Sequence, residues 1–532
     1  MQINSIVIVG GGSAGWMTAT SLSKHLPEID VTLIESPDVP PVGVGESATL
    51  HLNEWLHALG IKDEDWMTQC NAVYKGSIKF TDFYKKGETF HYPFGAQDFS
   101  LTEFGTDAWF LKKWMYPDTP QTDFAESFWP NMQMLNKNKI HSNEDGNIPF
   151  FSILTDFSYQ FDVGKLGKWL KTNRCTKVKY ILDHVANVNL DERGWISSLS
   201  TKKHGELEAD LYIDCTGFSS ILLEKSLGVP HSSYEDMLIN NKTWVTKIPY
   251  VNPNVEIDLT TNGTAINNGW SWNIPLWDSI SKGYVYSEKF INKEIALKEF
   301  KEHLNNTNLW CKDNDAEELE YRHIDIRNGV HEKAWHKNCL AIGLSYGFIE
   351  PLESTGLVFV LGGIDRLIAT LQTKDRLVNQ FDRNCVNRAI RIQIDMSKYF
   401  VAYHFYGTDR DDTEYWRWYS QELDTSQLYE GSDSDSTLGN HTDEALDIPG
   451  MRFGYAPGFQ FSNDGWACIM VGHHLNLVSS ARVKSGELDS IWARKTKNVI
   501  NYWKERNTKI SLLADKSPTH YEYLKDKIYN QI

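Results

Sequence analysis

SIVIVGGGSAG, residues 5–15, is the stretch from which the fold can be read. Ile6–Val9 are consecutive apolar residues, the mark of a short buried strand, and a helical pattern begins at Ala14 directly after the glycines. Gly10, Gly12 and Gly15 fit G-x-G-x-x-G, with Ser13 and Ala14 between the last two. In that pattern the first glycine permits a tight turn, the second lets backbone amides approach a pyrophosphate, and the third lets helix and strand pack closely. The helix that follows directs its positive end at the phosphates. A second apolar strand, Val31–Ile34, runs into Glu35, twenty residues past Gly15, where a carboxylate can accept hydrogen bonds from ribose hydroxyls. An ordinary glycine-rich turn needs none of this context. Strand, turn, helix, strand and acid together predict a dinucleotide site.

Composition narrows the rest. At 532 residues the chain is long enough for one large core or two to three domains, and 41% hydrophobic with 23% charged residues is ordinary for a globular protein. A net charge of −17 argues against nucleic acid or an anionic membrane as partner, because both demand a basic surface. The apolar stretch Gly356–Leu371 is interrupted by Asp365 and Arg366, and MQINS at the start has no basic run of a leader. Seven cysteines (70, 175, 215, 311, 339, 385 and 468), odd in number and without a C-x-x-C, suit reduced thiols and an expected cytoplasmic location. His331-Glu332…His336 is one residue too long for H-E-x-x-H, and His473-His474 has no partner spacing, so no metal is expected.

Along the chain, VPPVGVGESATL (39–50) reads as a loop in which Gly45, Glu46 and Ser47 can lay backbone amides against a cofactor. Residues 50–70 look helical. Lys75 then stands among small and apolar residues in NAVYKGSIKF (71–80), where the plain reading is a solvated surface charge. FHYPFG (90–95) is aromatic, and 96–150 reads as a polar, irregular insertion. A helix at Val163–Lys171 precedes strand-like VKYILDHVANVNL (178–190), and LYID (211–214) enters Cys215-Thr216-Gly217, which suits a second backbone crossing of the cofactor. GWSWNIPL (269–276) places Trp270 and Trp272 on one face of a strand, as plain core packing also would. Strand Leu340–Gly343 leads to a loop in which Ser354 and Thr355 cap a helix from Gly356, whose free amides form a small anion site behind Glu353. Beyond 380 the pattern is mainly helical, apart from the acidic, serine-rich interval 424–447, read as a loop.

GGGSAGW, VYKGSIKF around Lys75, W-x-W-x-I-P at Trp270, Trp272, Ile274 and Pro275, and GFIEPLESTGL (347–357) resemble the flavin-dependent tryptophan/indole halogenases over nearly the whole chain. The resemblance implies an α/β fold: a flavin-monooxygenase-like, Rossmann-type FAD-binding body formed by 1–95 and 150–375. A mainly helical substrate-side subdomain would comprise 96–149 and 376–532. It implies Lys75 and Glu353 as catalytic residues and Thr355-Gly356 as the halide site. Cofactor contacts would come from Gly10, Gly12, Ser13, Ala14, Gly15, Glu35, Gly45, Glu46, Ser47, Val185, Gly217, Gly343 and Leu357. Reduced FAD, O₂ and chloride, bromide or iodide would yield hypohalous acid. Lys75 would hydrogen-bond that acid or carry the halogen as a haloamine, and Glu353 would stabilise and deprotonate the cationic ring. Trp270 and Trp272 would keep the substrate from the flavin, and Tyr92, Phe94, Phe461 and Trp466 would line the substrate side. The partners implied are an aromatic small molecule and a separate NAD(P)H-dependent flavin reductase, with the chain a monomer or homodimer.

Family members acting on free tryptophan carry a Tyr-Tyr pair and a polar cluster before a segment ending Cys-Ile. Here DIPGMRFGYAPGFQFSNDGWACIM (447–470) has no Tyr-Tyr and has Gly465 where an asparagine would bind, while Tyr92 replaces the family's histidine before the sandwiching aromatic. The expected substrate is therefore an indole-like ring and not free tryptophan. Two other readings are a flavin-dependent aromatic monooxygenase, which lacks W-x-W-x-I-P and the Lys/Glu pair, and a flavin-binding protein without turnover, which need keep neither.

Overall fold

The computed structural model describes residues 1–39, 45–102, 105–142, 147–423, 463–474 and 490–531. One half is a six-stranded sheet in the order Trp335–His336, Cys339–Ala341, Leu211–Asp214, Ser5–Val9, Asp30–Glu35, Lys179–Leu182. All neighbours are parallel except the first pair. Ser5–Val9 is central, buried from Ile6 to Val9, as its unbroken apolar run requires of a strand covered on both faces. The register sets Val9 beside Ile34 and Asp214, so the ends of three strands open on the same side as Gly10–Gly12.

A seven-stranded sheet lies beside it, in the order Arg322–Asp325, Lys242–Ile248, Ile280–Tyr286, Gly269–Pro275, Thr260–Ile266, Ser77–Thr81, Thr89–Pro93. The W-x-W-x-I-P strand is thus interior. Trp270 and Trp272 share a face with ring centroids 6.2 Å apart, as period-two alternation demands. A small antiparallel sheet of Gly45–Ser47, Ser158–Asp162 and Val73–Lys75 joins the two halves.

The apolar helix Gly356–Thr373 is the one described helix long and apolar enough to cross a membrane, yet 61% of it is buried inside the fold. It is a core helix, packed on Ser13–His25, His51–Ala58 and the long helix Gln380–Tyr406. Residues 96–150 depart from the irregular insertion expected. They contain the helices Asp107–Met115 and Thr122–Phe128, whose Trp109, Phe110, Phe124 and Phe128 are buried; Asp107–Met115 packs on the helix Ser490–Lys516, and Phe128 meets its Trp503 edge-on at 5.2 Å. The aromatic side chains outweigh the polar composition between them. Residues 50–70 form two helices, His51–Ala58 and Asp63–Trp66, interrupted where Gly60 takes φ 67°. Residues 178–190 form two strands, Lys179–Leu182 and Val185–Leu190. One core cluster runs from Ile3 to Ile528, and a smaller one gathers Trp244, Tyr284 and Phe300.

Candidate active site

The nucleotide turn is built by close approach. A Cβ on Gly15 would stand 1.9 Å from the Gly10 carbonyl oxygen, so helix and turn could not meet with any other residue there. Nothing lies within 4 Å of the corresponding position on Gly12, which leaves its backbone open toward a ligand. Glu35 leans across the turn, its Cδ 2.3 Å from where a Cβ on Gly11 would be, and accepts a hydrogen bond from Tyr180 Oη at 3.0 Å. Gly11 is thus a constraint that the triplet pattern does not name. Gly343 abuts Ala14 and Val360, Gly217 (φ 65°) opens the turn after Leu211–Asp214, and Val185 begins its strand half-buried. The open backbone at Gly12, the helix start behind it and the Glu35 carboxylate are the groups that could hold a dinucleotide such as FAD.

Lys75 lies across from it, at the end of Val73–Lys75. It is fully buried. Its Nζ donates to the Ala48 carbonyl and to Ser354 Oγ, both at 3.0 Å, and stands 4.8 Å above the Phe94 ring. Burial pushes its pKa down from 10.5 to about 7, against the opposing pull of Glu353 and Glu46. Glu353 is 1% exposed, in the turn Pro351–Glu353. His404 Nε2 lies 2.7 Å from its Oε1, but off the line of a hydrogen bond, so both carboxylate oxygens lack a donor. His404 Nδ1 is 3.0 Å from the Phe400 carbonyl, which can only accept, so Nδ1 carries hydrogen.

Ser354 takes a left-handed backbone (φ 58°), and Thr355 precedes the helix at Gly356. Neither side chain caps it, contrary to expectation: the Ser354 hydroxyl is taken by Lys75, and buried Thr355 Oγ1 has no partner. The first amides of the helix, through Leu357, have no acceptor within it. Behind this turn, Glu350 is fully buried and accepts from Trp270 Nε1 at 3.0 Å and from Asn240 Nδ2 at 2.8 Å. Burial pushes its pKa up to about 7 in spite of those donors. Trp272 lies flat over Gly283, and Ile274 packs on Gly45.

Tyr92, Phe94 and Trp466 come together around Phe400. Tyr92 is 6.3 Å from Phe94 and 6.0 Å from Phe400, and Trp466 meets Phe400 edge-on at 4.9 Å. Phe461 lies outside the described residues. A Cβ on Gly465 would stand 2.6 Å from Tyr92 Oη, so the tyrosine occupies the space of any side chain at 465. The roles of His404 and Glu350, and of Ser354 as acceptor for Lys75, are not written in the sequence, since their partners lie on other elements: Glu353 is 51 residues from His404.

Residues 5–483 match the family model described as tryptophan halogenase. The chain belongs to the tryptophan halogenase family. The tryptophan 6-halogenase SttH of Streptomyces toxytricini is 34% identical over 435 residues, 78% of this chain and 80% of its own. The tryptophan 7-halogenase RebH of Lentzea aerocolonigenes is 32% identical over 433 residues, 78% of each. The solved structure of VirX1 superposes with a TM-score of 0.89 at 36% identity, covering all of both chains. This halogenase is accordingly an FADH₂-dependent oxidoreductase that uses a halide, and the family typically draws reduced flavin from a separate reductase.

Proposed function

We propose that this halogenase acts on an electron-rich aromatic ring without a charged tail, with indole as its simplest representative, and that free tryptophan is a poor substrate. The observation that carries this reading is the packing of Tyr92 on Gly465, at 2.6 Å from where a side chain would begin. An amino acid's ammonium and carboxylate entering this chamber must exchange water for protein partners, and an unpaired buried charge costs several kcal/mol. An asparagine that would meet them has no room. Indole needs one acceptor and stacks on aromatic walls.

Bound FAD, reduced and reacting with O₂, supplies the oxidation that turns halide into hypohalous acid. The chain does the rest. Thr355 and Gly356 hold the halide on the first amides of the buried helix. Trp270, fixed by Glu350, and Trp272 separate flavin from substrate. The Lys75 ammonium hydrogen-bonds the oxygen of hypohalous acid, so that as the halogen bonds to the ring carbon the departing hydroxide takes the lysine proton and leaves as water. Glu353, with two oxygens lacking donors, takes the ring proton, and that proton restores Lys75. Residues 96–149 with 376–532 serve as the substrate-side subdomain on a body of 1–95 and 150–375. Bromide and iodide, more easily oxidised than chloride, should also be used.

A competition between indole and tryptophan at equal concentration, with a supplied reductase and product read by mass spectrometry, tests this. Indole should be consumed faster. Faster halogenation of tryptophan, at one position only, would overturn the reading.

A further inference from the structure

We propose that the Glu46 carboxyl is a proton-linked gate on the anion seat at Thr355–Gly356: a halide enters with Glu46 neutral, so anion and proton are taken up together. The proposal rests on the halide seat described above and concerns a residue given no side-chain role there.

Glu46 is the middle residue of Gly45–Ser47 and pairs with Phe161. Strand alternation turns its neighbours one way and Glu46 the other. Gly45 faces Ser281 and Ile274, and Ser47 Oγ bonds Thr261 Oγ1 at 2.8 Å, all on the seven-stranded sheet. Glu46 therefore faces the helix start, where its Oε1 lies 3.6 Å from the position of a Cβ on Gly356. Among the described residues no hydrogen-bond donor meets the Glu46 carboxylate. The nearest compensating charge is Lys75, whose ammonium is committed to Ala48 and Ser354.

Two further observations point to an anion here. Thr355 Oγ1 is buried without a partner at the mouth of the helix, and the helix presents its free amides beside it. A halide on those amides and an ionised Glu46 would be like charges side by side, with Lys75 the cation among the described residues that acts on Glu46. The other charged groups around this strand face elsewhere. Glu353 acts on Lys75, Asp162 is paired with Lys247 at 3.3 Å, and Lys282 points away from Ser281, which meets Gly45. Burial already favours the neutral acid, raising its pKa from 4.5 to about 7, with Lys75 opposing.

The linkage has a definite sign. While Glu46 is protonated in the free protein, halide affinity does not depend on its titration. Above its pKa each halide must bring a proton, and affinity falls by up to about tenfold per pH unit. Lys75 loses its charge with the same sign, so the two contributions have to be separated.

Bromide binding to the FAD-loaded chain, followed by bromide NMR line broadening between about pH 5.5 and 8.5, does so. Wild type and Glu46→Gln should bind equally at the acid end. At the alkaline end Glu46→Gln should bind at least about tenfold more tightly, while Glu46→Asp keeps the wild-type fall. Titration calorimetry of wild type in buffers of different ionisation heat needs no variant, and should show more than half a proton taken up per bromide at about pH 8. Superimposable pH curves for wild type and Glu46→Gln, or bromide bound without proton uptake, would overturn the gate and leave the halide seat standing. A wild type that binds no bromide at any pH would overturn the seat itself.

Discussion

Lys75 shows how far a residue's meaning depends on its surroundings. In sequence it reads as one more solvated charge; in the fold it is fully buried, with three of its neighbours (Ala48, Ser354 and Phe94) drawn from separate elements. Lys75→Ala should leave no detectable product, while flavin oxidation and hypohalous acid release continue. Glu353→Gln should slow halogenation by about 100-fold without abolishing it, because water can still take the ring proton. Product yields from single turnovers, alongside a scavenger assay for free hypohalous acid, separate the two. Unchanged yield in Lys75→Ala would refute its role. Burial also makes Lys75 a stability sensor. Its pKa is about 7 folded against 10.5 for the ordinary side chain, so between those values the unfolded chain binds more protons and stability rises with pH. The slope from this group reaches at most about 1.4 kcal/mol per pH unit, and denaturant unfolding of Lys75→Met across that window should lack it.

Among elements, the strand Thr89–Pro93 and the helix Asn463–Gly472 are fitted to one another at two glycines, Phe90 covering Gly472 and Tyr92 meeting Gly465. Tyr92 occupies what Gly465 vacates. Gly465→Asn should destabilise the chain by about 1–3 kcal/mol through overpacking, and Tyr92→Ala should rescue it. A double-mutant cycle in denaturant should then give a coupling of about 1 kcal/mol or more; additive effects would show that the two positions do not compete for space. The helix Gly356–Thr373 illustrates the converse. Its apolar run marks it in sequence, but its N-terminal serine serves Lys75 and not the helix, which only the approach of the Val73–Lys75 strand determines.

For the whole molecule, residues 96–142 and the helix Ser490–Lys516 are held together by a buried charge pair. Arg506 donates to Asp98 at 3.0 Å and to the carbonyls of Glu126 and Ser127 at 2.9 Å, with side-chain exposures of 5% for Arg506 and 0% for Asp98. Tyr502 adds a hydrogen bond to Asp98 at 2.6 Å. Arg506→Ala should cost about 3–5 kcal/mol because it strands Asp98 without its counter-charge. The loss should loosen 96–142 from Ser490–Lys516 before the nucleotide sheet melts. Hydrogen exchange of the two segments should rise together while that of Ser5–Val9 is unchanged, and a single cooperative loss of protection would contradict this.

The sequence by itself determined what is carried by neighbours along the chain. The Ile6–Val9 strand, the Gly10–Gly15 turn and the Glu35 strand end are legible because strand burial, tight turning and helix start are local properties, each written within a few residues. Family membership followed from segments of the same kind. The tertiary structure decided what depends on side chains meeting across long separations: His404 against Glu353, Glu350 under Trp270, Glu46 over Gly356, and Tyr92 in the place of a side chain at 465. Even the aromatic residues of 96–150, which read as an irregular insertion, become helices because Ser490–Lys516 packs on them. Desolvation and proximity are properties of a packed interior, and no spacing along the chain encodes them.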